Sequence, residues 1–409
     1  MSRFILKYAI YLLLVQYALM YYLGSYFNVF DKIVLLLGFA ILPQIVSSKF
    51  LPKLAKVSFA IFFVSGVLGG VFSHFQPLKS IFQDSLLHLK FFFSLSIGYY
   101  CFRRIDFRRF DRYNKSAAKL IIIVLAILTL LNHVFGDYVF DLAVDTRFGF
   151  RCIRLFFWHP TFYVGAVMFW FSVYVSSTDM SMRKMGNLLC LFLVFFMILS
   201  AGRYKGLGVL FIFLYFCFAD AYKIKHMGAL KYANILLGGV VGLYLVLDQL
   251  LFYYGSNSEV GRAAALIASF RIVADYFPFG TGFGTFCSSA ALSPYSPVYQ
   301  KYGLDHVYGF MEKEPAFTAD NYVATLLGQN GVCVIFFVVF LCYLFKKIYE
   351  LKKINVHYFR SALLLFMYLC FCSIGECTFV AVYSVPMGLW IGFMISQLSK
   401  WNTIDRRAS

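Results

Sequence analysis

The sequence predicts an all-α integral membrane protein, and three observations carry that prediction. Of its 409 residues 61% are hydrophobic and only 14% charged, with a mean hydropathy of +0.75; a soluble domain carries about 25% charged residues. Apolar runs of roughly 18–20 residues recur along almost the whole length, each able to cross a hydrocarbon core about 30 Å thick. Basic residues collect in every second break between the runs. Lipid offers backbone groups no hydrogen-bond partner, so such runs must be helices.

Taken in order, the runs lie near residues 6–23, 30–47, 54–73, 81–101, 118–135, 158–177, 186–200, 206–219, 232–250, 322–345, 361–377 and 381–398. That gives about twelve spans. The first run follows Arg3 and Lys7 like a signal peptide. It is too long for an ordinary signal core and has no small-residue cleavage site, so it reads as a retained helix. The basic breaks are Lys49/Lys53/Lys56, Arg103 to Lys119, Arg183/Lys184, Lys223/Lys225/Lys231, Lys346 to Arg360 and the tail Lys400/Arg406/Arg407. About 25 of the 37 basic residues fall on that side, which the positive-inside rule makes cytoplasmic, with both termini.

Three parts follow: nine helices with short loops over 1–250, a loop over 251–321 on the outer face, and three helices with a tail over 322–409. The loop is rich in Tyr, Gly, Ser and Pro and is expected to fold as short helices and turns over the membrane. The net charge of +18 would suggest nucleic acid in a soluble chain; confined to loops between apolar runs, it reflects topology instead. The ten cysteines include no CxxC pair and no metal-spaced cluster, and no cofactor is expected. Cys152 and Cys287 both fall in outer loops, which leaves a pairing between them open.

Arginines on the outer side are exceptions to the charge rule and therefore informative. They are Arg147, Arg151 and Arg154, then Arg203 in a tight turn, then Arg262 and Arg271 in the large loop. The first three stand at i, i+4 and i+7, one face of a helix if Gly149 allows one. Guanidinium forks bind phosphate oxygens bidentately, so the set suits an anionic lipid headgroup or a diphosphate. The plain alternative is pairing with Asp137, Asp141, Asp145, Glu259 and Asp275. Arg262 and Arg271 are nine apart, on opposite faces of a continuous helix, and share a ligand only if the helix breaks.

The stretch Phe277-Pro-Phe-Gly-Thr-Gly-Phe-Gly-Thr-Phe286 has GxGxG spacing without the βαβ setting of a nucleotide loop. It is either a turn under a lipid or sugar or a purely structural turn. Candidate acids and bases nearby are Asp305, His306, Glu312, Glu314 and Asp320, with Asp320 preferred and His306 second. Glycosyl transfer from a diphosphate donor needs a base on the acceptor hydroxyl and cations on the leaving group. Arginines can fill the second role without metal, and the chain contains no Asp-x-Asp pair. Within the runs, Asp84 and His88 at i, i+4 are either a functional pair or a mutually satisfied one, and Glu376 ends the eleventh run. His159-Pro160 opens the sixth run and reads as interfacial.

This layout resembles the bacterial O-antigen polymerases and ligases, membrane glycosyltransferases that use undecaprenyl-diphosphate-linked glycans. The resemblance rests on Ser200-Ala-Gly-Arg203-Tyr-Lys-Gly206 between two close spans, then Arg262 to Arg271, then Pro278-Phe-Gly-Thr-Gly-Phe-Gly284. It ends on Asp320-Asn321 and Gly328-Gln-Asn-Gly331. It covers most of the chain as topology and about the second half as sequence. It implies an inner-membrane enzyme with a periplasmic active site. Arg203, Arg262 and Arg271 would hold diphosphate, with Arg147 and Arg151 beside them, and Asp320 or His306 would serve the acceptor. Tyr295, Tyr299, Tyr302 and Tyr308 would stack on sugars, and Asn321 would help to bind them. The implied partners are lipid-linked glycans, membrane lipids and a chain-length regulator. A ligase shows histidine where this chain has Asp320, a departure that favours a polymerase.

Overall fold

Helices form where the sequence carries apolar runs, and their ends follow local backbone chemistry. The computed structural model describes residues 29–48, 50–102, 107–136, 146–147, 150–157, 159–180, 184–221 and 261–408. The runs at 6–23 and 232–250 lie outside the described residues, as do Asp137, Asp141, Asp145 and Glu259. Every other predicted run coincides with helix.

The helices are α1 (Val29–Ala40), α2 (Leu42–Ser47), α3 (Lys53–Ser73), α4 (Leu78–Phe102) and α5 (Phe107–Phe135). After them come α6 (Pro160–Ser176), α7 (Met185–Ser200), α8 (Tyr204–Ala221) and α9 (Gly261–Asp275). The remainder are the short α10 (Pro297–Lys301), α11 (Tyr322–Asn330), α12 (Val334–Glu350), α13 (Val356–Cys372) and α14 (Ser384–Ala408). Three helical stretches are long and apolar enough to cross a membrane: Lys53–Ser73, Asn114–Phe135 and Tyr322–Lys353. Shorter apolar helices, Pro160–Ser176, Met185–Ser200, Tyr204–Cys217, Val356–Cys372 and Ser384–Leu398, accompany them. The chain is thus an all-helical protein with candidate membrane spans.

Caps fix several boundaries. The Asn321 side chain accepts from the Ala324 amide at 3.0 Å and starts α11, and Asn355 does the same for α13 from His357 at 2.8 Å. A 3-10 turn at Gly331–Cys333 interrupts the run predicted at 322–345. The run predicted at 361–377 stops at Cys372, which leaves Glu376 in a loop. One local expectation fails: Thr146–Arg147 and Phe150–Arg151 form no helix but two antiparallel strands, with Thr146 opposite Arg151 and Arg147 opposite Phe150. Strand pairing of Arg147 and Arg151 thus wins over the helical spacing of the arginines.

α6 is buried along almost its whole length and packs against α5, α7 and α13. Ser172 on α6 and Ser361 on α13 exchange side-chain-to-carbonyl hydrogen bonds at 3.0 and 2.8 Å, and the Trp390 indole donates to Ser361 at 2.9 Å. α4 and α14 meet through small residues, where Gly98 lies on the Leu389 backbone and Gly392 on that of Leu95. A second, smaller core belongs to 261–324 and surrounds Tyr299 with Ala265, Ile272, Phe286 and Val298.

The glycine turn joins these two cores. Its central amides are spent on protein: Gly280 on the Tyr276 carbonyl at 2.9 Å, Thr281 on Gly328 at 2.9 Å, Gly282 on Gln329 at 2.8 Å and Phe283 on Gly66 at 2.8 Å. Gly284 donates to the Asp84 carboxylate at 2.7 Å. Gly282 has φ +87°, and a Cβ there would overlap the Gly70 backbone. Of the two readings of this turn the geometry carries the structural one, since the amides of residues 280–284 are taken by the fold. Asp84 and His88 meet through a third residue. Gln329 donates to Asp84 at 2.8 Å while its carbonyl oxygen faces His88 Nε2 at 3.2 Å. The imidazole stacks on Phe283 at 4.3 Å between centroids.

All ten cysteines are free thiols, so the pairing left open for Cys152 and Cys287 does not form; each is buried in its own surroundings.

Candidate functional site

α7 ends at Ser200 and the chain turns through Ala201 and Gly202, which has φ +63°, before α8 begins at Tyr204. This two-residue reversal puts Arg203 and Lys205 side by side at one end of the bundle. α9 brings Arg262 in its first turn, and the segment before α11 brings Asp320. The loop after α13 brings Glu376. Backbone hydrogen bonds tie these segments together: Tyr322 donates to Ser373 at 3.2 Å, Cys377 to Ala319 at 3.2 Å and Ile153 to Ser200 at 2.9 Å.

Arg262 donates to Asp320 Oδ2 at 2.8 Å, with the two side chains 13% and 32% exposed. Lys205 Nζ lies 3.9 Å from Glu376 Oε1. Thr161 donates to the same oxygen at 3.1 Å, and Tyr383 to Oε2 at 3.3 Å. The charges of Lys205, Arg203 and Asp320 all act on the Glu376 carboxyl. Burial pushes that carboxyl above the usual carboxylate range, and the two cations partly offset the rise. Gly375 makes the close approach possible, because a Cβ there would run into Lys205 Nζ and lie 3.7 Å from Arg262.

Arg203 reaches His159 Nε2 at 2.9 Å. A guanidinium only donates, so Nε2 accepts and the imidazole is neutral, with its proton on Nδ1. The Thr161 amide lies 3.3 Å from Nδ1 and donates there only in the opposite tautomer. The shorter, charge-assisted contact prevails. Among the described residues, three basic side chains, Arg203, Lys205 and Arg262, thus gather with two acidic ones, Asp320 and Glu376. Each carboxylate oxygen contact is one that a phosphate oxygen could replace.

The remaining predicted residues divide. Arg271 is not in this cluster, because α9 runs unbroken from Gly261 to Asp275 and turns it to the face opposite Arg262. It lines a separate pocket of about 600 Å³ with Tyr302, His306 and Tyr308. His306 is 87% exposed and lies 3.6 Å from Asp305. Arg151 stands beside Gly136 and His133 at the end of α5. Arg147 is fixed by its backbone in the hairpin. Tyr299 is corrected outright: it is fully buried, its hydroxyl accepts from the Cys287 amide at 3.0 Å, and no ring face is open to a sugar. Tyr295 donates to the Phe310 carbonyl at 2.7 Å, and burial with the Asp305 and Glu312 charges pushes its phenol up to about 12. Asn321 is buried and spent on the α11 cap, which removes it as a sugar ligand.

Sequence reasoning gave no role to Lys205, although it stands two residues from Arg203, and noted Glu376 only as the end of the eleventh run. The signal for both was the same as for Arg203: a charged group at the end of an apolar run. His159 was read as interfacial and its contact with Arg203 was not foreseen. No protein-family model matches this chain, and no curated protein matches it either.

Proposed function

We propose that the protein is a repeat-unit polymerase of the bacterial inner membrane, joining polyprenyl-diphosphate-linked oligosaccharides on the periplasmic face. In this reading the chain has about twelve spans and both termini in the cytoplasm, with the large loop outside. The observation that supports it is the convergence of Arg203, Lys205 and Arg262 from separate segments on one end of the bundle, beside Asp320. Those cations suit a diphosphate, and the surrounding apolar helices suit its polyprenyl chain.

The acceptor hydroxyl oxygen attacks the anomeric carbon of the donor glycan. The bond from that carbon to the diphosphate oxygen breaks, and the electron pair leaves with the polyprenyl diphosphate. Arg203, Lys205 and Arg262 neutralise the charge that grows there. Asp320 takes the hydroxyl proton. As Arg262 turns to the diphosphate its bond to Asp320 is exchanged, which frees the carboxylate to act as base. His159 holds Arg203 in position. Asp320 in place of the histidine of ligases favours polymerisation.

The test uses the purified full-length protein in detergent with one lipid-linked repeat unit and no lipid A core. A ladder of lengthening glycans is expected, and Arg203→Ala should slow it about 100-fold or more while leaving membrane insertion intact. Wild-type chain lengths from that variant would remove Arg203 from the site. Transfer seen only after lipid A core is added would make the protein a ligase; no transfer under either condition would point to a transporter.

A further inference from the structure

The pocket on the far side of α9 has no place in the reaction just described. Residues 264, 267, 268 and 271 recur at helical spacing and form its wall on α9. Nine residues separate Arg262 from Arg271, about 13 Å along the axis and half a turn around it. One headgroup cannot reach both.

The pocket's chemistry is uneven in an informative way. Its lining includes Arg271 and His306 but no Asp or Glu. Two acids behind the wall are held by lining residues: Asp275 accepts from the Tyr302 hydroxyl at 2.7 Å, and Asp305 lies 3.6 Å from His306. Among the described residues no carboxylate lies within ion-pair distance of Arg271. Tyr308 keeps 59% of its surface exposed, although its ring is held edge-to-face on Phe317 at 5.6 Å. Tyr302, Leu304 and Ala268 supply an apolar wall. The volume of about 600 Å³ is that of a small-ligand site, where an apolar lining carries a few placed polar groups. A fork of donors beside open aromatic and aliphatic faces fits a ring with an apolar side and a carboxylate on its edge.

We propose that this pocket is a separate binding site for a carboxylated sugar, with Arg271 on the carboxylate and Tyr308 against the ring face. The polymerase reading supplies the source of that sugar, a residue of the bound glycan away from the reacting end. The binding itself does not depend on catalysis. Arg271 and Tyr308 are then specificity residues that select acidic glycans.

The experiment titrates full-length protein in detergent with trigalacturonic acid and with neutral galactotriose by calorimetry. The acidic trimer should bind saturably and the neutral one at least about tenfold more weakly. The cation cluster is the rival site for the same anion, so the variants decide between the two. Arg271→Gln should weaken binding of the acidic trimer about tenfold or more and Tyr308→Ala several-fold, whereas Arg203→Ala should leave it unchanged. Both pocket side chains are exposed, so their variants should melt with the wild type. No saturable binding, equal binding of the neutral trimer, or loss through Arg203→Ala in place of Arg271→Gln would overturn the proposal. Displacement of the trimer by glycerol 1-phosphate at equal concentration would overturn it too, in favour of a lipid-headgroup site. A glycan ladder without acidic-sugar binding defeats the pocket alone, and binding without any ladder defeats the polymerase alone.

Discussion

Two charged regions of this molecule look alike in the sequence and differ in what surrounds them. Asp84 lies in a helical apolar run, and Glu376 with Arg203 lies at the ends of others. Asp84 is 1% exposed and accepts from the Gly284 amide and the Gln329 side chain, both fixed parts of the fold. The Arg203 cluster instead pairs side chain with side chain, across segments held by loops, and Asp320 keeps 32% of its surface open. A buried charge saturated by backbone and amide donors is a fastener. A partly open group of exchangeable ion pairs is a place where an anionic ligand can substitute for a carboxylate. The position of a charged residue in a span does not distinguish these cases; the identity of its partners does.

Three substitutions break or sharpen that contrast. The largest effect belongs to the fastener. Gly282→Ala would force a Cβ into the Gly70 backbone at a left-handed φ, and should cost roughly 3–5 kcal/mol, read as a fall in the thermal midpoint in detergent. An unchanged midpoint would mean the turn is not docked as described. Next, Asp84→Ala orphans the Gly284 and Gln329 donors, at about 1–3 kcal/mol for each buried group left unsatisfied. Denaturant or thermal unfolding checks it, and a wild-type curve would make Asp84 dispensable to the fold. The smallest effect on stability is expected at the open cluster. Arg262→Ala leaves a carboxylate that water reaches, so stability should change by no more than about 1 kcal/mol. Glycan elongation should nevertheless fall about 100-fold. A large loss of stability with normal elongation would turn the comparison round and make the Arg262–Asp320 pair the fastener.

Much of the architecture was legible because lipid solvent leaves a chain few choices. Apolar runs marked the helices, and the described run boundaries near 53–73, 160–176 and 185–200 shifted by only one or two residues. Arg203 and Arg262 were legible as candidates because charge at an apolar boundary demands a partner. Less legible were the local competitions. Strand pairing overrode the helical spacing of Arg147 and Arg151, and the cap at Asn321 consumed a side chain that composition alone would assign to a ligand. The tyrosines of the loop show the same limit: Tyr299 and Tyr308 are one residue type in one segment, yet one is core and the other open surface.

By itself, then, the sequence determined a helical chain with candidate membrane spans, the order of its runs and the charged residues that needed explaining, because hydropathy and helix geometry act over short stretches of chain. Only the tertiary structure decided that Lys205 and Glu376 join Arg203 and Arg262, and that Gln329 lies between Asp84 and His88. It also decided that α9 sets Arg271 apart from Arg262. The physical reason is that these groups are brought together by packing between segments up to 245 residues apart, as for Asp84 and Gln329. Such contacts depend on where glycines let backbones approach, and no local pattern of residues records that.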